Sequence, residues 1–547
     1  MSDTESAHGE ELDAVVVGAG FSGMYMLHKL REMGLSVRVY EKADDVGGTW
    51  YWNRYPGARC DSESHIYCYS FSEELRREWE WTERYPEQPE ILEYLQFAAD
   101  RLALRTDIQF ETEITSATFD EDAGRWQVET DDGQTVSSQF FISAVGCLSE
   151  PYKPDFDGLG EYEGDWYHTA RWPHEGVDLD GKRVGVIGTG STGIQTIPEV
   201  AERAGHLTVF QRTPNYAIPA RNRPLEAGEF EEIRENYDKI WEDAKYSWLG
   251  MPFDNEHFTA SGLDDEEVRR LLAKRWEQGG FRFLHTFDDI LLNEETNEAV
   301  SEFIREKIRK RVNDPELAEK LVPTDHPYGS KRPPMDYNGY YETFNRDDVC
   351  LADVDENPIE RFTADGIATT AEAFDLAIVI FATGFDAMTG ALLAMDIEGR
   401  DGLTIDEKWA GGPRTYLGLG INGFPNLFTI TGPQSPSVLT NMPVSIEQHV
   451  EFIADCIDYM RESDYDYIEA SEQAEREWVA ETNMVAGEML FSEADSWYRG
   501  ANVPGKPRVF TPYPGGLETY RRRCERIADD DYEGFEFARS VAPLSAD

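Results

Sequence analysis

An α/β fold with two Rossmann-like dinucleotide-binding domains is predicted by two glycine-rich turns that occur in one chain of 547 residues. Each turn follows a short apolar run, precedes a stretch with helical spacing of apolar side chains, and leads into a second apolar run. This order is typical of a strand–turn–helix–strand unit, whose glycines let the backbone approach a pyrophosphate at the helix N-terminus. Such a long chain also exceeds what a single core supports, so we expect two or three domains.

The first unit starts with the apolar residues 14–17 and ends with the strand-like residues 37–40. Glu41 follows that second run, about 20 residues beyond the turn, where a carboxylate accepts the hydroxyls of an adenosine ribose. The first unit therefore predicts an FAD site. The turn residues predicted to contact FAD are Gly18, Gly20, Phe21, Ser22 and Gly23.

The second unit has the apolar residues 184–187 and 207–210 on either side of its turn. After the second run it carries Arg212 and Thr213 instead of a carboxylate. A carboxylate here would repel a 2′-phosphate, whereas a guanidinium pairs with one through two hydrogen bonds. This unit therefore predicts an NADPH site with Arg212 and Thr213 on the phosphate; a surface arginine after a strand is the alternative. The turn residues of this site are Gly188, Gly190, Ser191, Thr192 and Gly193.

Two further patterns carry a resemblance to a known family. An aromatic-x-Gly-x-x-x-His-x-x-x-Trp-Pro fingerprint just before the second turn is filled by Tyr162, Gly164, His168, Trp172 and Pro173. A second pattern consists of Gly48, Thr49 and Trp50, followed by Tyr55, Pro56, Gly57 and Asp61. With these motifs the chain resembles the type I (class B flavoprotein) Baeyer–Villiger monooxygenases, and most strongly the phenylacetone and cyclohexanone monooxygenases. The similarity extends over nearly the whole chain.

The resemblance implies an NADPH- and O2-dependent reaction that inserts one oxygen atom next to a ketone carbonyl and gives an ester or lactone. The family's C4a-peroxyflavin reacts as an anion, so a permanent cation must lie beside it. Arg332 matches the family's active-site arginine, and arginine suits this role because its pKa keeps it protonated. Asp61 matches the carboxylate that orients this arginine. A solvated loop cation and a local turn cap are the alternative interpretations of these two residues.

Other roles follow from the same resemblance. Lys331 and Trp497 are expected to contact the nicotinamide cofactor, and the FAD contacts are expected to include Gly48, Thr49, Trp50 and Asp61. His168 and Trp172 are expected to form a hinge between the domains, with a structural role for His168 as the alternative. The predicted substrate pocket consists of Cys147, Ser437, Val438, Leu439 and Met442. Ordinary core packing is the alternative for these pocket residues.

The positions of the motifs predict how the chain is divided. Residues 1–149 form the first part of the FAD-binding domain, and residues 150–223 the first part of the NADPH-binding domain. A helical insertion over residues 224–322 is expected to cover the substrate side. Residues 323–381 complete the NADPH-binding domain, and residues 382–547 complete the FAD-binding domain.

The composition restricts the possible partners. The formal net charge is −55, with 106 Asp and Glu against 51 Lys and Arg. Such a chain is repelled by polyanions, so we expect no nucleic-acid partner. No segment reaches the roughly 18 apolar residues of a membrane span, and no secretory signal is apparent, so we expect a cytoplasmic protein, monomeric or weakly oligomeric. The excess of acids further predicts an enzyme from a salt-accumulating, halophilic cell.

Other functions are weighed by the same residues. The six cysteines contain no C-x-x-C pair, which argues against a disulfide reductase with the same two-nucleotide architecture. The ten histidines show no ligand-like cluster, so we expect no metal. An N- or S-oxygenating flavin monooxygenase is the main alternative, and a redox sensor or uncoupled oxidase is a second. Which ketone is the natural substrate is left open.

Overall fold

The structure is a computed structural model that describes residues 10–253 and 258–539. Residues 1–9, 254–257 and 540–547, which belong to three of the predicted segments, lie outside the described residues. Within the described part, the strands β1 to β20 in chain order are Glu10–Val17, Val37–Tyr40, Ile108–Gln109, Ile114–Asp120, Arg125–Thr130, Thr135–Ser143, Asp165–His168, Arg183–Ile187, His206–Gln211, Ile218–Pro219, Met335–Asp336, Val349–Asp353, Ile359–Thr363, Gly366–Thr369, Ala373–Asp375, Ile378–Phe381, Asp396–Glu398, Leu427–Thr429, Tyr467–Ala470 and Phe535–Ala538.

The α-helices of the described residues alternate with these strands, and short 3-10 turns lie between them. In chain order, α1 to α16 are Phe21–Glu32, Thr49–Trp52, Glu73–Glu78, Gln88–Arg101, Ser191–Ala201, Glu229–Glu235, Tyr237–Lys245, Asp265–Gln278, Glu294–Arg311, Pro315–Leu321, Tyr340–Thr343, Gly390–Leu393, Ile405–Lys408, Met442–Ser463, Glu472–Gly487 and Leu517–Asp529.

The first sheet is built around β1, which lies between β2 and β6 and is parallel to both. β3 extends the sheet beyond β2, β18 adds to β6 in parallel, and β4 and β5 form an antiparallel extension that ends at β17. Val15 and Val16 of β1 are fully buried because helices or strands cover both faces of the sheet. Val16 faces the core around α1 and α14, and Val15 faces the core around Trp126.

The second sheet is entirely parallel, in the order β12-β9-β8-β16-β7. Val184 and Val186 of β8 pack with α5 and the helical insertion on one face. The other face carries Phe210, Val379 and Phe381, which pack beneath the three-stranded sheet β13-β14-β15. The predicted α/β class, with one glycine turn opening a helix in each sheet, is confirmed.

The helical insertion contacts both sheets rather than one. Helices α8 to α10 pack in the core of the second sheet, where Leu272 and Ile304 are fully buried. Helices α6 and α7 pack in the core of the first, through Phe230 and Trp241. Strands β1–β6 lie within 1–149 and strands β7–β9 within 150–223, and we retain the five-segment division as a proposal.

Candidate active site

A cleft of about 1040 Å³ lies between the two glycine turns and is lined by residues of both. It also contains side chains from the loop around residues 48–62 and from the loop around residues 331–332. The predicted site residues that line this cleft are Gly18, Gly20, Phe21, Ser22, Glu41, Gly48, Thr49, Trp50, Asp61, Cys147, Gly188, Gly190, Ser191, Thr192, Arg212, Thr213, Lys331, Arg332, Val438, Met442 and Trp497.

The last glycine of each turn lies behind the cleft and has a packing role. A Cβ on Gly23 would lie 1.8 Å from the carbonyl oxygen of Gly18, and one on Gly193 would lie 2.1 Å from that of Gly188. Gly18 and Gly188 themselves have φ angles of +102° and +110°, which favour glycine. These four glycines are explained by the protein's own backbone.

Gly190 is different. It precedes helix α5 with φ −78° and ψ −169°, an extended conformation that any residue adopts. A Cβ built on it would meet nothing within 4 Å, so neither backbone conformation nor packing within the protein requires glycine there. The space in front of it belongs to the cleft, at the N-terminus of a helix, which is where a phosphate group binds. The turn therefore fits a dinucleotide.

Glu41 lies at the first turn but is already engaged by the backbone. It is 5% exposed, and its two carboxylate oxygens accept hydrogen bonds from the amide groups of Ala19 at 2.7 Å and Ala43 at 2.9 Å. Burial raises the pKa of Glu41, although the two amide donors oppose that change. Glu41 therefore fastens the first turn to the strand that follows, in addition to lining the cleft.

Two cations, Arg212 and Lys331, line the cleft near the second turn. Arg212 is exposed at the cleft, and Thr213 lies beside it with its carbonyl accepting a hydrogen bond from Thr189. Lys331 is close enough for the charge of Arg212 to lower its pKa, although burial is the larger cause of that decrease. The ammonium group of Lys331 lies 3.7 Å from Asp325. Both side chains thus line the cleft at the second turn.

Arg332 and Asp61 form an ion pair in the cleft between the two turns. The guanidinium donates to one oxygen of Asp61 from Nε at 2.9 Å and from Nη2 at 2.6 Å. Its Nη1 donates to the carbonyl of Val438 at 2.6 Å. Burial lowers the pKa of Arg332. The charge of Asp61 and the neighbouring Tyr498 raise that pKa by more than burial lowers it, so it lies above the ordinary value. The arginine is therefore a permanent cation held in one orientation.

Three neighbours of Arg332 were not predicted from the sequence. The ring of Phe281, from the helical insertion, lies 4.9 Å from the guanidinium carbon, and Tyr498 lies beside it. The third is the Val438 carbonyl, whose residue was predicted to act through its side chain. A separate cavity of about 30 Å³ adjoins Arg332 and is lined by Trp248, Leu249, Met251, Phe281, Leu284, Leu291, Gly329, Pro333, Leu439, Thr440, Phe491 and Tyr498. The contacts of Arg332 with Phe281, Tyr498 and Val438 have no local sequence pattern, because these residues come from distant segments.

The predicted pocket residues separate into two groups. Cys147, Val438 and Met442 line the large cleft, whereas Leu439 lines the small cavity beside Arg332. Ser437 is fully buried, and its hydroxyl lies 3.9 Å from the sulfur of Met388. Ser437 thus lies behind the cleft surface, and its assignment to the substrate pocket stays a prediction.

The fingerprint residues lie beside the cleft rather than in it. His168 is buried, with Nε2 3.2 Å from both the Tyr152 carbonyl and the Thr383 hydroxyl. Its Nδ1 accepts a hydrogen bond from the amide of Ala170 at 3.1 Å, and burial lowers its pKa. Trp172 is buried nearby against Tyr167. His168 thus joins the chain segments that leave the first sheet and return to it.

Comparison with known proteins decides between the enzyme classes that share this architecture. A family model described as flavin-binding monooxygenase-like matches residues 13–224. The chain is 46% identical to a Baeyer–Villiger monooxygenase from Pseudooceanicola batsensis, over 96% of each chain. It therefore belongs to the Baeyer–Villiger flavin monooxygenases. The predicted family and the predicted enzyme class are confirmed.

Two other relatives are similar to this chain over nearly its whole length. The solved structure of cyclohexanone monooxygenase from Rhodococcus sp. Phi1, bound to NADP+, is 45% identical with a TM-score of 0.95, and the match covers 97% of this chain and 100% of that one. A phenazine N-monooxygenase from Lysobacter antibioticus is 43% identical over 98% of each chain. High overall identity therefore includes relatives that are named for a different oxygenation.

Other predicted features concern groups outside the cleft. Among the helices of the described residues, none is long and apolar enough to cross a membrane. Within residues 10–253 and 258–539, no group of three His, Cys, Asp or Glu side chains is arranged to hold a metal ion. The six cysteines are free thiols.

Proposed function

We propose that this Baeyer–Villiger monooxygenase uses NADPH, O2 and bound FAD to insert one oxygen atom next to a ketone carbonyl, giving an ester or lactone. The observation that carries the proposal is the Arg332–Asp61 ion pair in a cleft shared by the two nucleotide turns. Bound FAD would supply the chemistry with O2, once NADPH had reduced it. The remaining steps depend on residues of this chain.

The first turn, with Gly48, Thr49, Trp50 and Glu41, would hold FAD. The second turn would hold NADPH, with Arg212 and Thr213 on the 2′-phosphate. Lys331 and Trp497 are proposed at the nicotinamide end, since both line the same cleft. The NADP+ named with the cyclohexanone monooxygenase structure supports this second assignment.

Arg332 is proposed to stabilise negative charge that develops on the substrate oxygen. Its raised pKa means that it keeps its proton, so it attracts an anion without protonating it. Asp61 and the Val438 carbonyl fix the orientation of the guanidinium, so no reorganisation is needed when the charge appears. Such preorganised charge is commonly the largest contribution to catalysis.

His168 and Trp172 are proposed to transmit relative movement of the two sheets. The Tyr152 and Thr383 contacts of His168 support this role, because those residues flank the two chain crossings between the sheets. A structural histidine at the same place is the alternative. The pocket assignment of Cys147, Val438, Leu439 and Met442 is likewise proposed, supported by their positions along the cleft and the small cavity.

N- or S-oxygenation is the alternative activity. It is kept because a relative named for N-oxygenation is 43% identical to this chain. Those reactions use an electrophilic, protonated oxidant, and a permanent cation such as Arg332 disfavours protonation of its neighbour. The arrangement therefore favours ketone oxygenation.

The decisive experiment is mass analysis of the products from FAD-loaded protein with NADPH, air and a panel of ketones headed by phenylacetone and cyclohexanone. An amine and a sulfide would be included as competing substrates. An ester or lactone one oxygen heavier than its ketone would support the proposal. An N-oxide or S-oxide alone would favour the alternative, and hydrogen peroxide alone across the panel would contradict both.

We also propose a cytoplasmic, halophilic protein that is monomeric or weakly oligomeric and binds no nucleic acid. The net charge of −55 supports the halophilic and nucleic-acid proposals, because salt screens self-repulsion and polyanions are repelled. Thermal unfolding and activity would be measured from salt-free buffer to molar potassium chloride. Full stability and activity without salt would contradict the halophilic proposal.

A further inference from the structure

The loop that carries Asp61 rests on the helix that follows the second glycine turn. The hydroxyl of Tyr55 donates a hydrogen bond to Oε1 of Gln195 at 2.8 Å. The amide Nε2 of the same side chain donates to the carbonyl of Arg59 at 3.0 Å. Gln195 lies one turn into helix α5, so one side chain uses both its acceptor and its donor to hold a loop that is more than a hundred residues away in the sequence.

The backbones of the loop and the helix also touch directly. Gly57 has a φ angle of +80°, and a Cβ on it would lie 2.4 Å from the carbonyl oxygen of Gln195. No side chain fits between them. Because the loop lies directly on the helix, a displacement of α5 is transmitted to the loop instead of being absorbed by flexible side chains.

The two ends of this contact lead to the two parts of the candidate active site. Gln195 follows the turn in which Gly190 leaves space for a phosphate, and Thr192 of that turn also contacts Tyr55. Arg59 lies two residues before Asp61, which bonds to Arg332. One connection from the second nucleotide turn to the Arg332–Asp61 pair therefore passes through Gln195.

We propose that Gln195 is a positioning residue through which the seating of NADPH on the second turn sets the position of Asp61 beside Arg332. The inference rests on the proposed function, because it assigns NADPH to that turn. Gln195 acts through the loop, since its amide bonds are to Tyr55 and Arg59 rather than to Arg332. Bound nucleotide would then stabilise the position of Asp61 that orients Arg332.

The loop has other supports, so loss of Gln195 leaves it folded. The hydroxyl of Tyr337 donates to the Cys60 carbonyl at 2.7 Å, and the amide of Cys60 donates to the Pro86 carbonyl at 3.0 Å. Arg59 also donates to the Tyr85 carbonyl at 2.7 Å. Variants of Gln195 are therefore suited to separate coupling from folding.

The test measures hydrogen–deuterium exchange of the FAD-loaded protein with and without NADP+. The variants are Gln195→Leu, which removes both bonds, Gln195→Glu, which keeps only the acceptor, and Tyr55→Phe. Glu202→Gln at the other end of α5, where the carboxylate pairs with Arg346, is the matched control. In the parent and the control, NADP+ should slow exchange in residues 188–196 and also in residues 55–64. In Gln195→Leu the slowing should be confined to residues 188–196.

A second measurement compares NADPH consumption with oxygenated product. In Gln195→Leu the KM for NADPH should stay within about twofold. The fraction of NADPH that yields product should fall about fivefold, in line with the loss of a hydrogen bond. Tyr55→Phe should show a smaller decrease, and the double variant should lose less than the sum of the two single changes, because both remove the Tyr55–Gln195 hydrogen bond.

The outcomes separate this inference from the proposed function. If NADP+ protects residues 188–196 but not 55–64 in the parent, the coupling is wrong while the nucleotide site stands. Protection of both segments that persists in Gln195→Leu would also overturn it. If NADP+ protects neither segment, the proposed nucleotide assignment itself fails.

Discussion

The residue after the second strand differs between the two nucleotide units, and the structure places the two residues in opposite environments. Glu41 of the first unit is buried and accepts backbone hydrogen bonds from Ala19 of the glycine turn and from Ala43. Arg212 of the second unit is exposed at the cleft. The carboxylate of Glu41 thus bonds within the protein, whereas the guanidinium of Arg212 is accessible to a ligand in the cleft. This contrast is the one expected if the first site retains its nucleotide and the second exchanges it.

The largest effect is expected at Arg332, in the cleft shared by the two units. Arg332→Ala should still allow NADPH to reduce the flavin, because both turns are intact, but should lower oxygenated product by about a thousandfold, the range seen when preorganised charge is removed. Rapid-mixing absorbance and product mass would measure the two steps. Arg332→Lys keeps the charge without the paired hydrogen bonds and should be intermediate. Unchanged product formation in Arg332→Ala would place the catalytic charge elsewhere.

The second prediction concerns Arg212 of the second nucleotide unit. Arg212→Ala should reduce the preference for NADPH over NADH by about 10- to 100-fold, because a charge-assisted pair with the 2′-phosphate is lost. The ratio of kcat/KM for the two cofactors measures it. Arg203→Ala, which removes an exposed arginine paired with Asp180, is the control and should leave the ratio unchanged. An unaltered ratio in Arg212→Ala would transfer the phosphate contact to another cation, such as Lys331.

A third prediction extends the contrast to another buried carboxylate, which packs in the same core as the first sheet. Glu447 of α14 is fully buried, its carboxylate accepts hydrogen bonds from the amide and hydroxyl of Ser70, and burial raises its pKa from 4.5 to about 7. The folded state then binds more protons than the unfolded state between these values. The free energy of unfolding should therefore fall as pH rises through this window, by about 3 kcal/mol at most.

Glu447→Gln imitates the protonated side chain and should flatten that part of the pH profile. Denaturant unfolding at a series of pH values would measure it in constant molar salt. Glu10→Gln, an exposed partner of Arg38, is the control and should keep the slope. A slope that survives in Glu447→Gln would assign the titration to a different group.

The smallest effect is expected at Glu41, beside the first glycine turn. Glu41→Gln leaves one of the amide groups of Ala19 and Ala43 facing an NH2 group, and should cost about 1–2 kcal/mol of stability. Thermal unfolding and the rate of FAD release would both be measured. Faster FAD release with little change in NADPH affinity would support the proposed difference between the two units. An equal loss of FAD and NADPH affinity would contradict that difference.

The sequence predicted the two units because their requirements are local. A positive φ at Gly18 and Gly188, and the close approach of Gly23 and Gly193 to the carbonyls of those residues, involve residues within six positions of one another. Apolar runs such as residues 14–17 are equally local, since a strand covered on both faces has no need for polar positions. The fold class and the family followed from these patterns.

The surroundings of Arg332 did not follow from them. Phe281, Tyr498 and the Val438 carbonyl reach the guanidinium from three segments that are far apart in the chain. No sequence pattern indicated that the first two helices of the insertion pack in the core of the first sheet. Single-sequence patterns carry no information on which distant side chains meet.

By itself, the sequence determined the α/β class, the two glycine turns and the opposite charges that follow them, because each depends on residues close together along the chain. The family resemblance predicts the Asp61–Arg332 pair, and the structure shows its two hydrogen bonds. The tertiary structure was needed to show that Glu41 accepts hydrogen bonds from two backbone amide groups, and that Gln195 joins the Asp61 loop to the second nucleotide helix. The Glu41 contacts join residues of the first unit that lie up to 22 positions apart. The Gln195 contacts depend on how the two units pack together, and that packing is decided by buried surfaces from the whole chain.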